Sequence, residues 1–182
     1  MTRYGNQEGA RKGYNPNKRG RASHHPILAF LNESRIVLNI WNRAGNTGSR
    51  NNILAFFNGV YERIHPVIKI KGVLADAGFY NEEFIQDIES KKLSYIITAQ
   101  LYSTLQKKIY ADENWRQIEP GLWISEFEFQ HQDWEAPHRY IIVRQSIKTR
   151  KKALGKQLRL FEMETSSYRY GCWITNRDDP PL

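Results

Sequence analysis

The sequence predicts an α/β fold in which a mixed sheet with flanking helices is followed by an all-β insertion. Two observations support this class. From residue 24 to residue 111, strand-like apolar runs alternate with segments whose apolar residues recur at helical spacing. Beyond residue 112 only strand-like runs follow. With 182 residues and 40% apolar content, the chain is long enough to bury one core.

An antiparallel hairpin is predicted first. Residues 27–31 and 36–41 are apolar and rich in β-branched side chains, and the residues between them, 32–34, are polar and suit a turn. Because antiparallel strands commonly extend an otherwise parallel sheet, we expect this hairpin to form one edge of the sheet.

Helices and strands alternate after the hairpin. The apolar residues of 49–64 fall on one stripe of a helix, for which Thr47 or Ser49 is the expected cap. A strand over residues 67–75 then ends at Asp76. Three further elements are predicted: a helix capped by Asn81 with Phe84, Ile85 and Ile88 buried, a strand over residues 93–98, and a helix marked by Leu101, Leu105 and Ile109.

The last third of the chain has the pattern of four strands joined by turns. They are predicted over residues 122–130, 139–147, 158–163 and 168–175. The whole chain is therefore expected to divide into a basic loop or arm (1–23), a partial α/β core (24–111) and a β-strand insertion (112–182).

The net charge of +8 is concentrated near the amino terminus. Residues 1–50 carry nine Lys or Arg against two acids, whereas the other 132 residues carry 18 against 17. A localised positive field suits a polyanion such as DNA, because cations that neutralise phosphates release condensed counterions. A solvated, partly disordered basic tail has the same composition, so charge alone leaves both interpretations open.

Composition also excludes several classes of protein. No apolar run is long enough to span a bilayer, and the amino terminus lacks the apolar core of a signal peptide. Cys172 is the only cysteine, so an internal disulfide and a cysteine zinc cluster are both excluded, and we expect it to be a small buried residue. We therefore expect a soluble cytoplasmic protein.

Asp76 is the acid best placed for chemistry. An acid at the carboxyl end of a strand, followed by glycine and a helix, lies where open α/β sheets bind ligands. An aspartate in this position is also common in simple turns, so the residues alone support both hypotheses. His24 and His25 have no partners at metal-ligand spacing, and a structural or solvated role is favoured over phosphate contact.

Several segments resemble the DDE transposases of bacterial insertion sequences, named for two aspartates and one glutamate. The similar segments occur in the family's order along the whole chain: residues 4–16 (YGNQEGARKGYNP), 18–21 (KRGR), 23–26 (SHHP), 41–47 (WNRAGNT), 75–80 (ADAGFY) and 174–177 (ITNR). Motifs in the correct serial order are far less probable by chance than any one of them.

The resemblance implies a ribonuclease-H-like core with a β-strand insertion that cuts and joins DNA at transposon ends. In the intact family three carboxylates hold two Mg²⁺ ions, which activate the nucleophile and stabilise the leaving oxygen. Asp76 corresponds to the second of these acids, which makes it the expected catalytic and metal-binding residue.

The sequence departs from the family pattern at the other two acids. Only three residues precede the first matching segment, and the glutamate motif is expected beyond the point where this sequence stops. Glu162 and Glu164 are weak substitutes, because they fall in a strand-like segment. We therefore expect an internal fragment that binds no Mg²⁺ tightly, does not cleave DNA and is only marginally stable.

DNA-binding residues are expected on two basic segments. The resemblance favours phosphate contacts from one group near the amino terminus and a second on the insertion: Arg11, Lys12, Lys18, Arg19 and Arg21, then Arg150, Lys151 and Lys152. An aromatic side chain on the family's insertion can stack on a flipped base, and the candidates are Trp115, Trp123, Trp134 and Trp173.

Two functional hypotheses follow. The first is a DDE transposase domain that acts on transposon ends. The alternative is a non-enzymatic DNA-binding module or regulator derived from a transposase, which occludes transposon ends or joins a second copy or a full-length transposase subunit.

Overall fold

The computed structural model describes residues 7–13, 19–147 and 168–181. They form two compact units. The first comprises Met1–Gly72 and Gly78–Leu93, and the second comprises Val73–Ala77 and Ser94–Leu182. Among the helices that the structure describes, none is both long and apolar enough to cross a bilayer.

The first unit contains two small antiparallel sheets and two helices. Strands β1 (Arg11–Lys12) and β2 (Ala22–Ser23) form a ribbon within the segment predicted as a basic loop or arm. Strands β3 (Ile27–Phe30) and β4 (Val37–Trp41) form the predicted hairpin. This hairpin is a separate two-stranded sheet rather than the edge of a larger one, so that part of the prediction is wrong.

Helix α1 (Ile53–Ile64) begins later than predicted, and its cap is not the predicted one. The residue before it, Asn52, has left-handed backbone angles and makes no side-chain capping bond, so Thr47 and Ser49 do not cap this helix. The buried face is as expected: Ile53, Phe56 and Val60 are buried, and the Phe56 ring packs edge-on against Trp41 of β4 at 5.3 Å between centroids.

Helix α2 (Glu82–Ser90) follows the sequence prediction closely. The Asn81 side chain accepts a hydrogen bond from the backbone N–H of Phe84 at 3.1 Å, and Glu82 and Glu83 occupy the first turn, where the helix dipole favours acids. Phe84, Ile85 and Ile88 are buried, and Phe84 packs edge-on against Phe57 of α1. The two helices thus share one apolar core.

The second unit is built on a six-stranded mixed sheet. It contains β5 (Gly72–Ala75), β6 (Ser94–Thr98), β7 (Arg116–Glu119), β8 (Leu122–Phe129), β9 (His138–Ser146) and β10 (Tyr168–Thr175). Their spatial order is β5-β6-β10-β9-β8-β7, and all pairs from β6 to β7 are antiparallel. The strands predicted as an insertion therefore continue the sheet that contains β5 and β6. The predicted strand over residues 158–163 lies outside the described residues.

One face of this sheet forms the core of the second unit. The strand register places Tyr140, Ile142 and Ile174 on the same face, and all three are fully buried. Helix α3 (Ser103–Tyr110) buries Leu105 and Ile109, and its Tyr110 ring contacts Tyr170 of the sheet. Cys172 is buried on this face as predicted, and burial raises the pKa of its thiol to about 12, so the thiol is protonated and unreactive at neutral pH.

The segment after β10 is held by side chains. The Thr175 hydroxyl donates to the carbonyl of Tyr95 at 2.6 Å, and the Tyr95 N–H donates to the Asn176 side chain at 2.9 Å. These two bonds extend the β10–β6 pairing beyond the backbone ladder. Further along, Arg139 donates to Glu126 and to the carbonyls of Arg177 and Asp179. The motif at residues 174–177 therefore anchors the end of β10 to the sheet.

Candidate nucleic-acid interface and strand-end acid

Two glycine-bearing motifs of the sequence contact each other in the first unit. A Cβ atom added to Gly13 would overlap the carbonyl of Gly45 and lie 2.7 Å from the Cα of Asn46. A Cβ added to Gly45 would overlap Ser23 and lie 2.6 Å from the carbonyl oxygen of Arg11. Both positions thus require glycine, because the ribbon backbone packs directly on the loop after β4.

The side chain of Arg43 holds the loop after β4 through hydrogen bonds to its backbone. Its guanidinium is buried and donates to four backbone carbonyls, those of His25 (3.2 Å), Gly48 (3.3 Å), Ser49 (3.5 Å) and Asn51 (2.8 Å). Burial lowers the pKa of this guanidinium, although an arginine stays protonated at neutral pH. One side chain therefore satisfies three carbonyls of the loop that connects the hairpin to α1, and one carbonyl of the segment that precedes the hairpin.

The two histidines are structural, as the sequence favoured. His24 is buried and forms an isolated bridge with Ala44. The Nδ1 atom of His25 lies 2.8 Å from the carbonyl oxygen of Thr47, and since a carbonyl only accepts, Nδ1 carries the proton. The backbone N–H of His25 also donates to the Arg43 carbonyl at 2.8 Å. The 23–26 and 41–47 motifs therefore form one hydrogen-bonded assembly with the ribbon.

We call residues 7–13 and 19–23 the basic ribbon. Four predicted DNA-binding cations lie on it, and all are exposed: Arg11, Lys12, Arg19 and Arg21. Arg11 and Lys12 lie on β1, and Arg21 directly precedes β2, which pairs with β1 through Arg11–Ser23 and Lys12–Ala22. The other predicted contacts, Lys18, Arg150, Lys151 and Lys152, lie outside the described residues, as do Glu162 and Glu164.

Asp76 directly follows β5 in the second unit and is exposed. The short 3₁₀ helix Ala77–Phe79 comes next in the chain, before Asn81 and α2. The strand-end position that the sequence predicted for this acid is therefore present, on the edge strand of the six-stranded sheet.

The described residues do not fit a two-metal site. Nowhere in residues 7–13, 19–147 and 168–181 do three His, Cys, Asp or Glu side chains form a group able to hold a metal ion. The exposed Asp76 carboxylate fits one ligand position of a hydrated Mg²⁺ or Mn²⁺ ion, because such ions keep several waters and bind through one or two carboxylates.

The four candidate tryptophans are all half-buried and differ in their surroundings. Trp115 and Trp123 enclose the guanidinium of Arg144, at 4.2 and 5.2 Å from its carbon to the ring centroids, and Tyr168 adds a third ring at 4.8 Å. Trp134 lies edge-on to His138 at 5.1 Å, and the ring of Trp173 lies over Gly171. Which of them stacks on a base stays a prediction.

Arg144 has a structural role that the sequence did not indicate. Its Nε atom is buried among the rings and has no hydrogen-bond partner in the part of the chain that the structure describes. Burial raises the pKa of neighbouring Tyr170, and the Arg144 charge opposes that shift. The sequence signal was weak, since the aromatic residues that surround it, Trp115, Trp123 and Tyr168, come from separate parts of the chain.

These features define a class of protein: a mixed α/β protein with a strand-end carboxylate and a separately built basic ribbon. The chain matches the family model described as Transposase DDE domain over residues 1–177. It belongs to the DDE transposase family, and its mixed α/β fold is consistent with the ribonuclease-H-like fold of such transposases. A comparison with curated proteins found no match.

Proposed function

We propose that this chain is a DNA-binding part of a DDE transposase that acts in the cytoplasm on transposon ends. The observation that carries the proposal is the basic ribbon, whose four exposed cations belong to a segment that packs on the loop after β4 at Gly13 and Gly45. The Arg43 hydrogen bonds hold that loop in turn. Cations on a fixed backbone contact phosphates at a lower entropic cost than cations on a free tail.

We further propose that Asp76 is one of the acids that hold Mg²⁺ in the intact family, and that this 182-residue chain alone neither holds a Mg²⁺ pair nor cleaves DNA. Asp76 is the strand-end acid, and the described residues provide no group of three metal-binding side chains around it or elsewhere. A phosphoryl transfer that uses two ions needs more carboxylates than one.

The alternative function, a non-enzymatic DNA-binding module or regulator, is favoured by one observation. The basic ribbon and Asp76 belong to different compact units, so the ribbon is built without any contribution from the acid. Such a chain would occlude transposon ends, or join a second copy or a full-length transposase subunit.

Removing the ribbon cations is expected to weaken DNA binding and its salt dependence together. The combined variant Arg11→Ala, Lys12→Ala, Arg19→Ala and Arg21→Ala should reduce the slope of log affinity against log salt by about 0.9 for each phosphate that is no longer neutralised, or roughly 3 to 4 in all. The measurement is fluorescence anisotropy of a labelled DNA duplex over a salt series.

A matched control removes four exposed cations that lie elsewhere: Arg63→Ala, Lys69→Ala, Lys107→Ala and Arg169→Ala. Both variants lose four positive charges. If DNA binding depends only on the net charge of the protein, the two variants should lose the same affinity. An equal loss of affinity in the two variants would show that the ribbon is not the DNA-binding surface.

The purified chain is expected to produce no strand cleavage. Supercoiled plasmid and linear duplex would be incubated with the wild type in Mg²⁺ or Mn²⁺ and resolved by electrophoresis, with Asp76→Asn as the comparison. Robust cutting by the wild type that disappears in Asp76→Asn would refute the proposal, since cutting of that kind requires a complete site.

A further inference from the structure

A side-chain hydrogen bond restrains the backbone immediately after Asp76. The Nε2 atom of Gln100 donates to the carbonyl oxygen of Ala77 at 2.7 Å. The hydroxyl of Tyr102 in turn donates to the Oε1 atom of the same glutamine. All four residues belong to the second unit, so this network is built within one compact body.

The sheet topology explains why these residues meet. Strands β5 and β6 are neighbours, and Ala77 and Gln100 each lie two residues beyond the end of their strand. The glutamine side chain therefore links the segments that follow the two strands. The bond fixes the carbonyl at the start of the 3₁₀ helix and thereby restrains the backbone that carries Asp76.

Tyr102 selects the orientation of the glutamine amide. A hydroxyl that donates to Oε1 leaves Nε2 facing the Ala77 carbonyl, whereas the flipped amide would place two oxygen atoms against each other. Gln100 is half-buried, which limits the competition of water for these bonds. The pair thus restrains the carbonyl of Ala77.

We propose that Gln100 is a positioning residue for the Asp76 carboxylate, oriented by Tyr102, and that it fixes this acid for binding a hydrated divalent cation. The inference rests on the proposed metal-binding role of Asp76. Residues that orient a metal ligand without touching the ion typically change metal affinity by about tenfold or more when they are removed.

The test uses Mn²⁺ as a paramagnetic probe on the full chain. Broadening of the backbone amide signals of Asp76 and Ala77 is followed by NMR as Mn²⁺ is added to wild type, Gln100→Leu, Tyr102→Phe and Asp76→Asn. We expect the broadening near residue 76 to disappear in Asp76→Asn, and the Mn²⁺ concentration at half-broadening to rise about tenfold in Gln100→Leu. Tyr102→Phe should shift it less and in the same direction.

A matched control separates positioning from general stability. Gln106 makes the same kind of bond in the same unit, from its Nε2 to the carbonyl of Leu101 at 2.8 Å. Gln106→Leu should leave the Mn²⁺ midpoint unchanged, and the melting temperatures of the two glutamine variants should be similar. If Gln100→Leu fails to fold, Tyr102→Phe decides the question, because it keeps the Gln100 side chain but removes the bond that selects its amide orientation. An unchanged Mn²⁺ midpoint in that variant then overturns the positioning role.

The outcomes distinguish the positioning role of Gln100 from the metal-binding role of Asp76. If broadening near residue 76 depends on the Asp76 carboxylate but has the same midpoint in wild type, Gln100→Leu and Tyr102→Phe, the positioning role of Gln100 is overturned and the role of Asp76 stands. If broadening there is absent in the wild type, or is unchanged in Asp76→Asn, the proposed role of Asp76 is overturned and the positioning role falls with it.

Discussion

Replacing Arg43 with alanine is expected to destabilise the first unit by about 3 kcal/mol. The guanidinium is buried and donates to four backbone carbonyls, which lose their partner together in Arg43→Ala. A buried acceptor without a partner costs about 1 to 3 kcal/mol. The total should be less than four such penalties, because removing the side chain also removes the cost of burying its charge and admits water.

The effect should be local as well as large. Three of the four carbonyls belong to the loop before α1, so the amides at the start of α1 should exchange faster with solvent. Urea denaturation measures the decrease in free energy of unfolding, and hydrogen exchange with mass spectrometry locates it. Arg43→Lys should recover only part of the stability, since an ammonium cannot match the planar guanidinium fork.

Arg63→Ala is the matched control for this prediction. Arg63 is exposed in the last turn of α1, where it interacts with the helix dipole, so its removal should cost less than about 1 kcal/mol. Equal decreases of stability in the Arg43 and Arg63 variants would contradict the structural role that we assign to the buried guanidinium.

Local patterns in the sequence were sufficient for elements that depend on neighbouring residues. Helix α2 has its cap, its acidic first turn and its apolar stripe within a few residues, and all three are confirmed. Strand β8 was likewise visible from alternating aromatic and acidic residues, and β9 from its richness in strand-forming residues. Strand β7 was missed because its sequence, RQIE, is polar except for Ile118, as suits the edge of a sheet.

Boundaries set by distant contacts could not be predicted. The helix predicted from residue 49 begins at Ile53, because the carbonyls of Ser49 and Asn51 accept from Arg43 instead of from helical N–H groups. The strand predicted from residue 67 begins at Gly72, because the N–H groups of Val67 and Ile68 donate to Ile64 in the turn that ends α1. Both boundaries depend on hydrogen bonds, and the spacing of apolar residues in the sequence does not identify the partners in such bonds.

In the candidate site, too, features set by neighbouring residues could be predicted from the sequence, whereas contacts between distant segments could not. Strand-end logic placed Asp76 correctly after β5, and the resemblance identified the motifs of the first unit. Neither could show that Gly13 contacts Gly45, or that Gln100 bonds to Ala77, because each contact joins segments that are far apart in the chain. A glycine or a glutamine in a loop has many structural uses, and only the fold selects one of them.

Replacing Gly45 with alanine is expected to destabilise the first unit by about 3 kcal/mol and to weaken DNA binding without removing a cation. The new methyl group would overlap Ser23 and lie 2.6 Å from the carbonyl oxygen of Arg11, which is backbone and cannot rotate away. The basic ribbon must therefore move away from the loop after β4, and its cations no longer keep their fixed arrangement.

Gly48→Ala provides the control, because a Cβ there would make only an ordinary contact of 3.7 Å with the Asn51 side chain. Urea denaturation and DNA anisotropy would be measured for both variants. We expect Gly48→Ala to match the wild type in both, and Gly45→Ala to be less stable and to bind DNA more weakly. If Gly45→Ala is less stable but, at a temperature where it is still folded, binds DNA as tightly as the wild type, the fixed arrangement of the cations is not what DNA recognises, and charge alone accounts for binding.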